Sequence, residues 1–250
     1  MNRPARARRS DGREIRLLAS DYDGTLAEHG VMQESTLDAL RHARRHGLAL
    51  ALITGREFDD LLGACRHLDL FDVVVAEDGA VFYLPDTQEV RLLAEPPDAA
   101  FLAALTDAGI EFSRGRVIVS TRDDAADDVQ RLIDASRRPL HLSLNKGAAM
   151  YLPTGVDKGS GLAAGLEHLG IGAEAVAGFG DAENDLAFLR LAGISVAVGN
   201  ALESVKEQVN VVTEQAAGDG VAAFIHELIA ARLATAPVRP DAIGAATDRT

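Results

Sequence analysis

The stretch IRLLASDYDGTL, residues 15–26, decides the fold of this chain. It opens on a short apolar run, Ile15 to Ser20, and closes on a turn that carries Asp21 and Asp23. Such a run is typical of a strand buried on both faces of a parallel sheet. Because side chains alternate along a strand, both aspartates are predicted to point the same way at its carboxyl end, where open α/β sheets bind ligands.

The two aspartates predict a cation site. Neighbouring carboxylates repel each other unless a cation or a shared proton relieves the repulsion. Mg²⁺ suits this position because it prefers oxygen ligands together with a substrate phosphate. Residues 21–26 also fit a turn in which both aspartates are simply exposed to solvent, and this alternative stays open on these residues alone.

Outward from this stretch, helical and extended patterns alternate, which predicts an α/β protein with a doubly wound, parallel, Rossmann-like sheet. The predicted elements after the first strand are a helix from an N-cap at Ser35 to a stop at Gly47, a strand over 48–53, a helix over 58–68 and a strand over 73–77. The alternation resumes after Pro153. A core made of residues 15–83 and 154–235 is therefore expected.

The pattern changes at about residue 84, where prolines at 85, 96 and 97 interrupt it. Helix and strand candidates then follow in an order that suggests an antiparallel sheet. We predict that residues 84–153 form an inserted α+β cap domain. The basic start, 1–14, and the Ala/Pro/Asp-rich end, 236–250, are predicted to be disordered tails.

Composition excludes several classes of function. The net charge of −13 and the absence of tryptophan disfavour nucleic acid as a partner. No apolar run is long enough to cross a membrane. The lone Cys65 rules out an internal disulfide and suits the cytoplasm. Both a monomer and a homodimer remain open.

Three further segments place chemically active residues at predicted strand ends or helix starts. Thr54, Gly55 and Arg56 follow the second strand and offer a hydroxyl and unhindered N–H groups for phosphate oxygens. Lys158 precedes the first helix after the insertion, where its ammonium can neutralise phosphoryl charge. The acidic turn GDAEND, residues 180–185, places Asp181 and Asp185 near a helix start.

In this order, the four segments resemble the haloacid dehalogenase superfamily of phosphatases, whose pattern is D-x-D-G-T, then T/S-G, then K, then G-D-x-x-N-D. The resemblance covers residues 15–83 and 154–230, and the insertion resembles the α+β cap of the subgroup that contains Cof-type, sucrose-phosphate and archaeal phosphoglycolate phosphatases. One departure is Asp78, which stands where many relatives carry asparagine.

The resemblance implies a role for each matched residue. Asp21 would be the nucleophile that forms an aspartyl-phosphate, and Asp23 the general acid and base. Thr54 and Lys158 would hold the transferred phosphoryl group. Asp21, the Asp23 carbonyl and Asp181 would bind Mg²⁺ with support from Asp185, and Asn184 would orient Asp181 or Lys158.

The resemblance also implies that the cap selects the substrate, a small phosphorylated metabolite such as a sugar phosphate or a phospho-acid. Arg122, Asn145 and Lys146 lie near predicted cap strand ends and are candidates for binding its leaving group. A phosphomutase or phosphoryl transferase is an alternative within the same chemistry. A non-catalytic phosphate-sensing module is another, but such a module needs neither Asp23 nor a domain-sized cap.

Overall fold

The computed structural model describes residues 14–136, 139–145 and 147–235. The predicted tails, apart from residue 14, and the candidate Lys146 lie outside the described residues.

An eight-stranded sheet forms the larger part of the described chain and confirms the predicted fold class. Its strand order is β12-β11-β10-β1-β2-β3-β4-β5, parallel from β12 to β3 and antiparallel at β4 and β5. The strands are β1 Leu17–Ser20, β2 Ala49–Ile53, β3 Val73–Ala76, β4 Val81–Leu84, β5 Glu89–Leu92, β10 Val176–Gly180, β11 Ile194–Ala197 and β12 Val211–Val212. Because β1 lies between β10 and β2, Asp21 follows one of the innermost strands.

Helices cover both faces of this sheet. Alternation sends Leu18 into one apolar cluster and its neighbour Leu17 into another, which explains why the strand is apolar at every position up to Ala19. Helices α1 and α8 pack together and contribute to the first cluster, and α5 to the second. The helices that flank the sheet are α1 Glu34–Arg45, α2 Phe58–Ala64, α5 Lys158–Leu169, α6 Leu186–Leu189, α7 Glu203–Lys206 and α8 Ala217–Thr235.

A four-stranded antiparallel sheet with the order β6-β7-β9-β8 lies within the insertion. Two helices cover one face and share an apolar cluster with it that contains Phe101, Val129 and Tyr151. This arrangement is the α+β insertion that the change of pattern predicts. Its elements are α3 Ala99–Asp107, β6 Ser113–Arg114, β7 Val119–Arg122, α4 Ala126–Ser136, β8 Leu140–Asn145 and β9 Ala148–Pro153.

The structure differs from the predicted elements in four places. Strand β5 lies in the range 84–153 assigned to the insertion, but it pairs with β4 in the larger sheet, because Pro85 begins a short turn between the two strands. The N-cap of α1 is Gln33 rather than Ser35, and α2 ends at Ala64. The helix predicted after the GDAEND turn is a 3-10 turn over Glu183–Asp185 that continues into the short α6.

Among the helices of the described residues, none combines the length and the apolar character that crossing a membrane requires.

Candidate active site

A buried ion-pair network lies at the carboxyl edge of the larger sheet. Asp21 directly follows β1 and is buried. Lys158, the first residue of α5, is 1% exposed, and its Nζ lies 2.6 Å from Asp21 Oδ1 and 2.5 Å from Asp185 Oδ1. The capping box of Asp157 and Ser160 begins the helix and fixes the point at which Lys158 enters the site. Residues from both sides of the insertion therefore meet at one point, as predicted.

The acidic turn after β10 holds Asp185 by its backbone. Asp185 Oδ2 accepts hydrogen bonds from the N–H groups of Asp181 (2.8 Å) and Ala182 (3.0 Å). A Cβ at Gly180 would lie 2.6 Å from the Cβ of Asp185, so this turn needs glycine there. The Thr25 hydroxyl donates to Asp181 Oδ1 at 3.0 Å and links the turn to the segment after β1.

Negative charge exceeds positive charge in this network. Burial raises the pKa of Asp21 well above its usual value; Lys158 offsets part of this effect, and Asp185 and Asp181 add to it. Burial alone would lower the pKa of Lys158, but the carboxylates of Asp185 and Asp21 outweigh burial and raise it. Lys158 is therefore held charged, whereas burial first and the neighbouring carboxylates second make ionisation of Asp21 costly.

The same surplus fits a divalent cation. Carboxylate oxygens of Asp21, Asp181 and Asp185 lie within 4.8 Å of one another, and all three residues are buried. Nearby, the Oδ1 atom of Asn184 is buried without a hydrogen-bond partner among the described residues. An all-oxygen donor set of this kind suits a hard cation such as Mg²⁺.

A cavity of about 380 Å³ lies between the larger sheet and the insertion. The larger sheet contributes the predicted residues Asp21, Asp23, Thr54, Gly55 and Arg56 to its wall, and the insertion contributes Ser113, Ser120, Ala148 and Met150. These wall residues from the insertion were not singled out from the sequence, because their position depends on how the insertion docks.

Arg56 binds Asp23 with a two-pronged contact. Its Nε and Nη2 atoms donate to Asp23 Oδ2 (2.5 Å) and Oδ1 (2.8 Å), and Nη1 donates to Asp60 at 2.7 Å. The guanidinium also lies over the Tyr22 ring, 5.5 Å from its centroid. The predicted general acid and the predicted substrate-binding arginine are therefore partners in this structure.

Asp78 links the larger sheet to the insertion and also binds Asn184. Asp78 Oδ2 accepts a hydrogen bond from the hydroxyl of Ser143 in β8 at 2.6 Å, and its Oδ1 accepts one from the Asn184 amide at 2.9 Å. Burial raises the pKa of Asp78. The contact of Asn184 thus differs from the predicted contact with Asp181 or Lys158, and the residue that departs from the superfamily pattern is its partner.

Two candidate residues of the insertion, Arg122 and Asn145, are each the last residue of a strand. Arg122 is 80% exposed, pairs with Asp124, and lines a neighbouring depression rather than the cavity that contains Asp21. Asn145 is the last residue of β8, opposite Ala148 in the sheet register. The exclusion of Arg122 from the cavity wall is not predictable from the sequence, because it depends on how the smaller sheet docks on the larger one.

Comparisons with known proteins agree with this geometry. The family model of haloacid dehalogenase-like hydrolases matches residues 18–130 and 142–225. A phosphoglycolate phosphatase of Methanothermobacter thermautotrophicus is 32% identical over 225 residues, which cover 86% of this chain and 99% of that protein. Phosphoglycolate phosphatase 2 of Saccharolobus solfataricus is 29% identical over 220 residues, 85% of this chain and 92% of that protein.

Solved structures show the same fold. The structure of a haloacid dehalogenase-like hydrolase from Bacteroides thetaiotaomicron superposes with a TM-score of 0.74 at 19% identity, covering 86% of this chain and 100% of that one. A Thermoplasma acidophilum protein superposes with a TM-score of 0.75 at 16% identity, covering 87% and 99%. At these identities the likeness concerns the fold alone.

Proposed function

We propose that this chain, which belongs to the haloacid dehalogenase-like hydrolases and is a phosphoric monoester hydrolase, hydrolyses a small phosphorylated carboxylic acid through a phosphoaspartate on Asp21. The observation that carries the proposal is the contact of Asp21, which lines the cavity together with Asp23, with the buried Lys158 behind it. Relatives that are phosphatases favour hydrolysis over the mutase and sensor alternatives.

The proposed reaction has two steps. First, a carboxylate oxygen of Asp21 attacks phosphorus, the bond to the leaving oxygen breaks, and Asp23 gives that oxygen a proton. Then Asp23 takes a proton from water as the water oxygen bonds to phosphorus, and the acyl–phosphate bond breaks to release inorganic phosphate and restore Asp21. We propose that Thr54 and Gly55, which line the cavity, and Lys158, which contacts Asp21, hold the phosphoryl oxygens.

Mg²⁺ is the proposed metal. Asp21 and Asp181, with Asp185 beside them, would hold it together with the Asp23 carbonyl. When bound, it would supply positive charge that offsets the charges of the phosphoryl group and of the carboxylates. Asp185 keeps its place through its bonds to Lys158 and to two backbone N–H groups, which suits a supporting role.

The composition of the cavity favours a phosphorylated acid as substrate. Arg56 brings a guanidinium to the wall, and Ser113 and Ser120 bring hydroxyls. A guanidinium binds carboxylates in a two-pronged manner; in this structure Arg56 holds Asp23 in that way, and we propose that a substrate carboxylate takes over part of this contact. Since relatives at up to 32% identity carry the name phosphoglycolate phosphatase, phosphoglycolate is the first substrate to test.

A direct assay tests the proposal. Purified protein is mixed with phosphoglycolate, a panel of sugar phosphates and p-nitrophenyl phosphate, and inorganic phosphate is measured with Mg²⁺ or with EDTA. We expect release that depends on Mg²⁺, with phosphoglycolate giving the highest kcat/KM. A sugar phosphate with a higher kcat/KM would contradict the substrate class, and full activity in EDTA would contradict the metal.

Changing Arg56 to lysine tests its role toward the substrate. Lysine keeps the charge but loses the two-pronged geometry, so the KM for phosphoglycolate should rise about tenfold, with a smaller change for p-nitrophenyl phosphate. Steady-state kinetics on both substrates measure this. An equal loss of kcat on both with unchanged KM would mean that Arg56 serves only to position Asp23.

Metal binding should also be visible without turnover. A ligand at one hundred times its Kd stabilises the folded state by about 2.7 kcal/mol, so saturating Mg²⁺ should raise the Tm by several degrees over EDTA. Asp181→Asn should remove most of this rise, whereas Asp107→Asn, an exposed change in the insertion, should keep it. An undiminished rise in Asp181→Asn would place the metal elsewhere.

A further inference from the structure

Glu77 is a completely buried carboxylate that joins the larger sheet to the insertion. It directly follows β3 and is 0% exposed. Its Oε1 atom accepts hydrogen bonds from the N–H groups of Arg116 (2.8 Å) and Phe58 (3.2 Å). Its Oε2 atom accepts from Val117 (2.8 Å) and Ile118 (3.1 Å). Three of these four donors belong to the insertion.

The three donors are consecutive residues of one turn. Residues 115–118 join β6 to β7, and the Gly115 N–H closes the turn on the Ile118 carbonyl at 3.0 Å. Successive backbone N–H groups that converge on one anion form a compact binding site for it. A buried carboxylate needs such compensation, and here most of it comes from the hairpin turn, residues 115–118.

The backbone around Glu77 is strained. Glu77 and Asp78 both have φ of +53°, and Gly79 follows with +111°. Two adjacent left-handed residues other than glycine are costly and persist only where surrounding contacts hold them. Asp78 binds Ser143 of the insertion, so both strained side chains reach across to the same unit.

The hairpin turn lies next to the wall of the active-site cavity. Ser113 in β6 pairs directly with Ser120 in β7, and both line the cavity. Directly opposed residues of an antiparallel pair point to the same face. The position of the hairpin turn therefore sets the position of these two hydroxyls over the site.

Other contacts at this junction are weaker. Arg116 pairs with Asp59 at 2.9 Å and lies 4.6 Å from the centroid of the Phe58 ring, and Ser113 donates to Glu57. The Asp59 side chain is 70% exposed, and exposed ion pairs contribute little. Burial and the number of donors single out Glu77.

We propose that Glu77 is a positioning residue that docks the β6–β7 hairpin over the active site, so that Ser113 and Ser120 meet the leaving group of the substrate. The part of this inference that concerns the leaving group rests on the proposed phosphatase function. The docking itself is independent of that function and is measured separately.

Hydrogen exchange of the substrate-free protein tests the docking. In Glu77→Gln, which keeps the size but loses the charge and one acceptor oxygen, amides 116–118 should exchange at least about tenfold faster than in the unaltered chain. Strands β1 and β10 should exchange as before. Asp59→Asn is the matched control, since it removes an exposed carboxylate from the same junction and should leave amides 116–118 protected.

Two exchange results overturn the docking role. Unchanged protection of amides 116–118 would mean that Glu77 does not hold the hairpin turn. An equal loss of protection in β1 and β10 would mean that Glu77 merely supports overall stability.

Kinetics test the link to the leaving group. In Glu77→Gln, the KM for phosphoglycolate should rise about tenfold, while kcat for p-nitrophenyl phosphate, whose leaving group departs without help, should change less than about threefold. Equal losses of kcat on both substrates at constant KM would overturn the link. No phosphate release by the unaltered protein would instead refute the proposed function and leave the exchange result standing.

A second variant approaches the same contact from the insertion. A Cβ at Gly115 would lie 2.6 Å from the carboxylate of Glu77, so Gly115→Ala should displace that carboxylate without altering Glu77 itself. We expect it to reproduce the faster exchange of amides 116–118 and the higher KM for phosphoglycolate. If amides 116–118 exchange faster in Glu77→Gln but at the normal rate in Gly115→Ala, the glutamine variant loses protection for another reason. That result would overturn the proposal.

Discussion

Asp21→Asn is expected to lower phosphate release by roughly 10⁴-fold to 10⁶-fold, because the amide cannot attack phosphorus and no covalent intermediate forms. Single-turnover assays with Mg²⁺ and phosphoglycolate measure the loss, and intact-protein mass spectrometry after rapid acid quench should detect the phosphorylated form only in the unaltered chain. Asp107→Asn serves as the control and should retain full activity.

The fold should survive this substitution. Burial raises the pKa of Asp21, so above the unfolded-state value of about 4 its ionised form costs stability instead of adding to it. At neutral pH and in EDTA, Asp21→Asn should therefore unfold at an equal or higher urea concentration. If the folded variant keeps activity within tenfold of the unaltered protein, Asp21 is not the nucleophile.

Lys158→Met should damage both stability and activity. Removing one partner of a buried ion pair typically costs about 3–5 kcal/mol, and here two carboxylates lose the same ammonium. Urea unfolding in EDTA measures this cost, and phosphate release should fall at least about 10²-fold because the proposed phosphoryl site loses an ammonium. Lys206→Met, which removes a lysine paired with the exposed Glu203, is the control.

The loss of stability in Lys158→Met should depend on pH in a defined direction. The pKa of Lys158 is higher in the folded state than in the unfolded state, where it is about 10.4. The stability that the charged lysine contributes is therefore fully present at neutral pH and is lost only at higher pH. In the variant, Asp21 loses the ammonium that lowers its pKa and therefore takes up a proton more readily as the pH falls. The difference in free energy of unfolding between the variant and the unaltered protein should therefore become smaller from pH 7 to pH 4. A difference below about 1 kcal/mol at pH 7 would contradict the interpretation of Lys158 as part of a buried ion pair.

Most of the larger sheet, and the clustering of its candidate residues, is predictable from the sequence. Asp21, Thr54 and Asp181 each follow an apolar strand, and strands of a parallel sheet end at a common edge, so their proximity follows from local patterns alone. Lys158 was identified by its place before a helix. These are properties of single elements that need no knowledge of how the elements dock.

The features that sequence reasoning did not reach depend on docking. Glu77 also follows an apolar strand, and that signal was available, but its partners are backbone groups of the insertion with no pattern of their own. The sequence pattern around Pro85 predicts a domain boundary, whereas Pro85 begins a turn between two strands of the larger sheet. Arg122, the last residue of β7, lines a neighbouring depression, and only the docking of the smaller sheet decides this.

The position of β1 between β10 and β2 has a consequence for synthesis on the ribosome. Until the residues beyond the insertion emerge, β1 has no neighbour on one side, and its unpaired backbone is open to other chains. Such pairing between segments distant in sequence slows folding, and the nascent amino-terminal half is exposed to aggregation meanwhile. Fragments that end within the insertion should therefore need chaperones to stay in solution, although in the whole chain β10 pairs with the open side of β1.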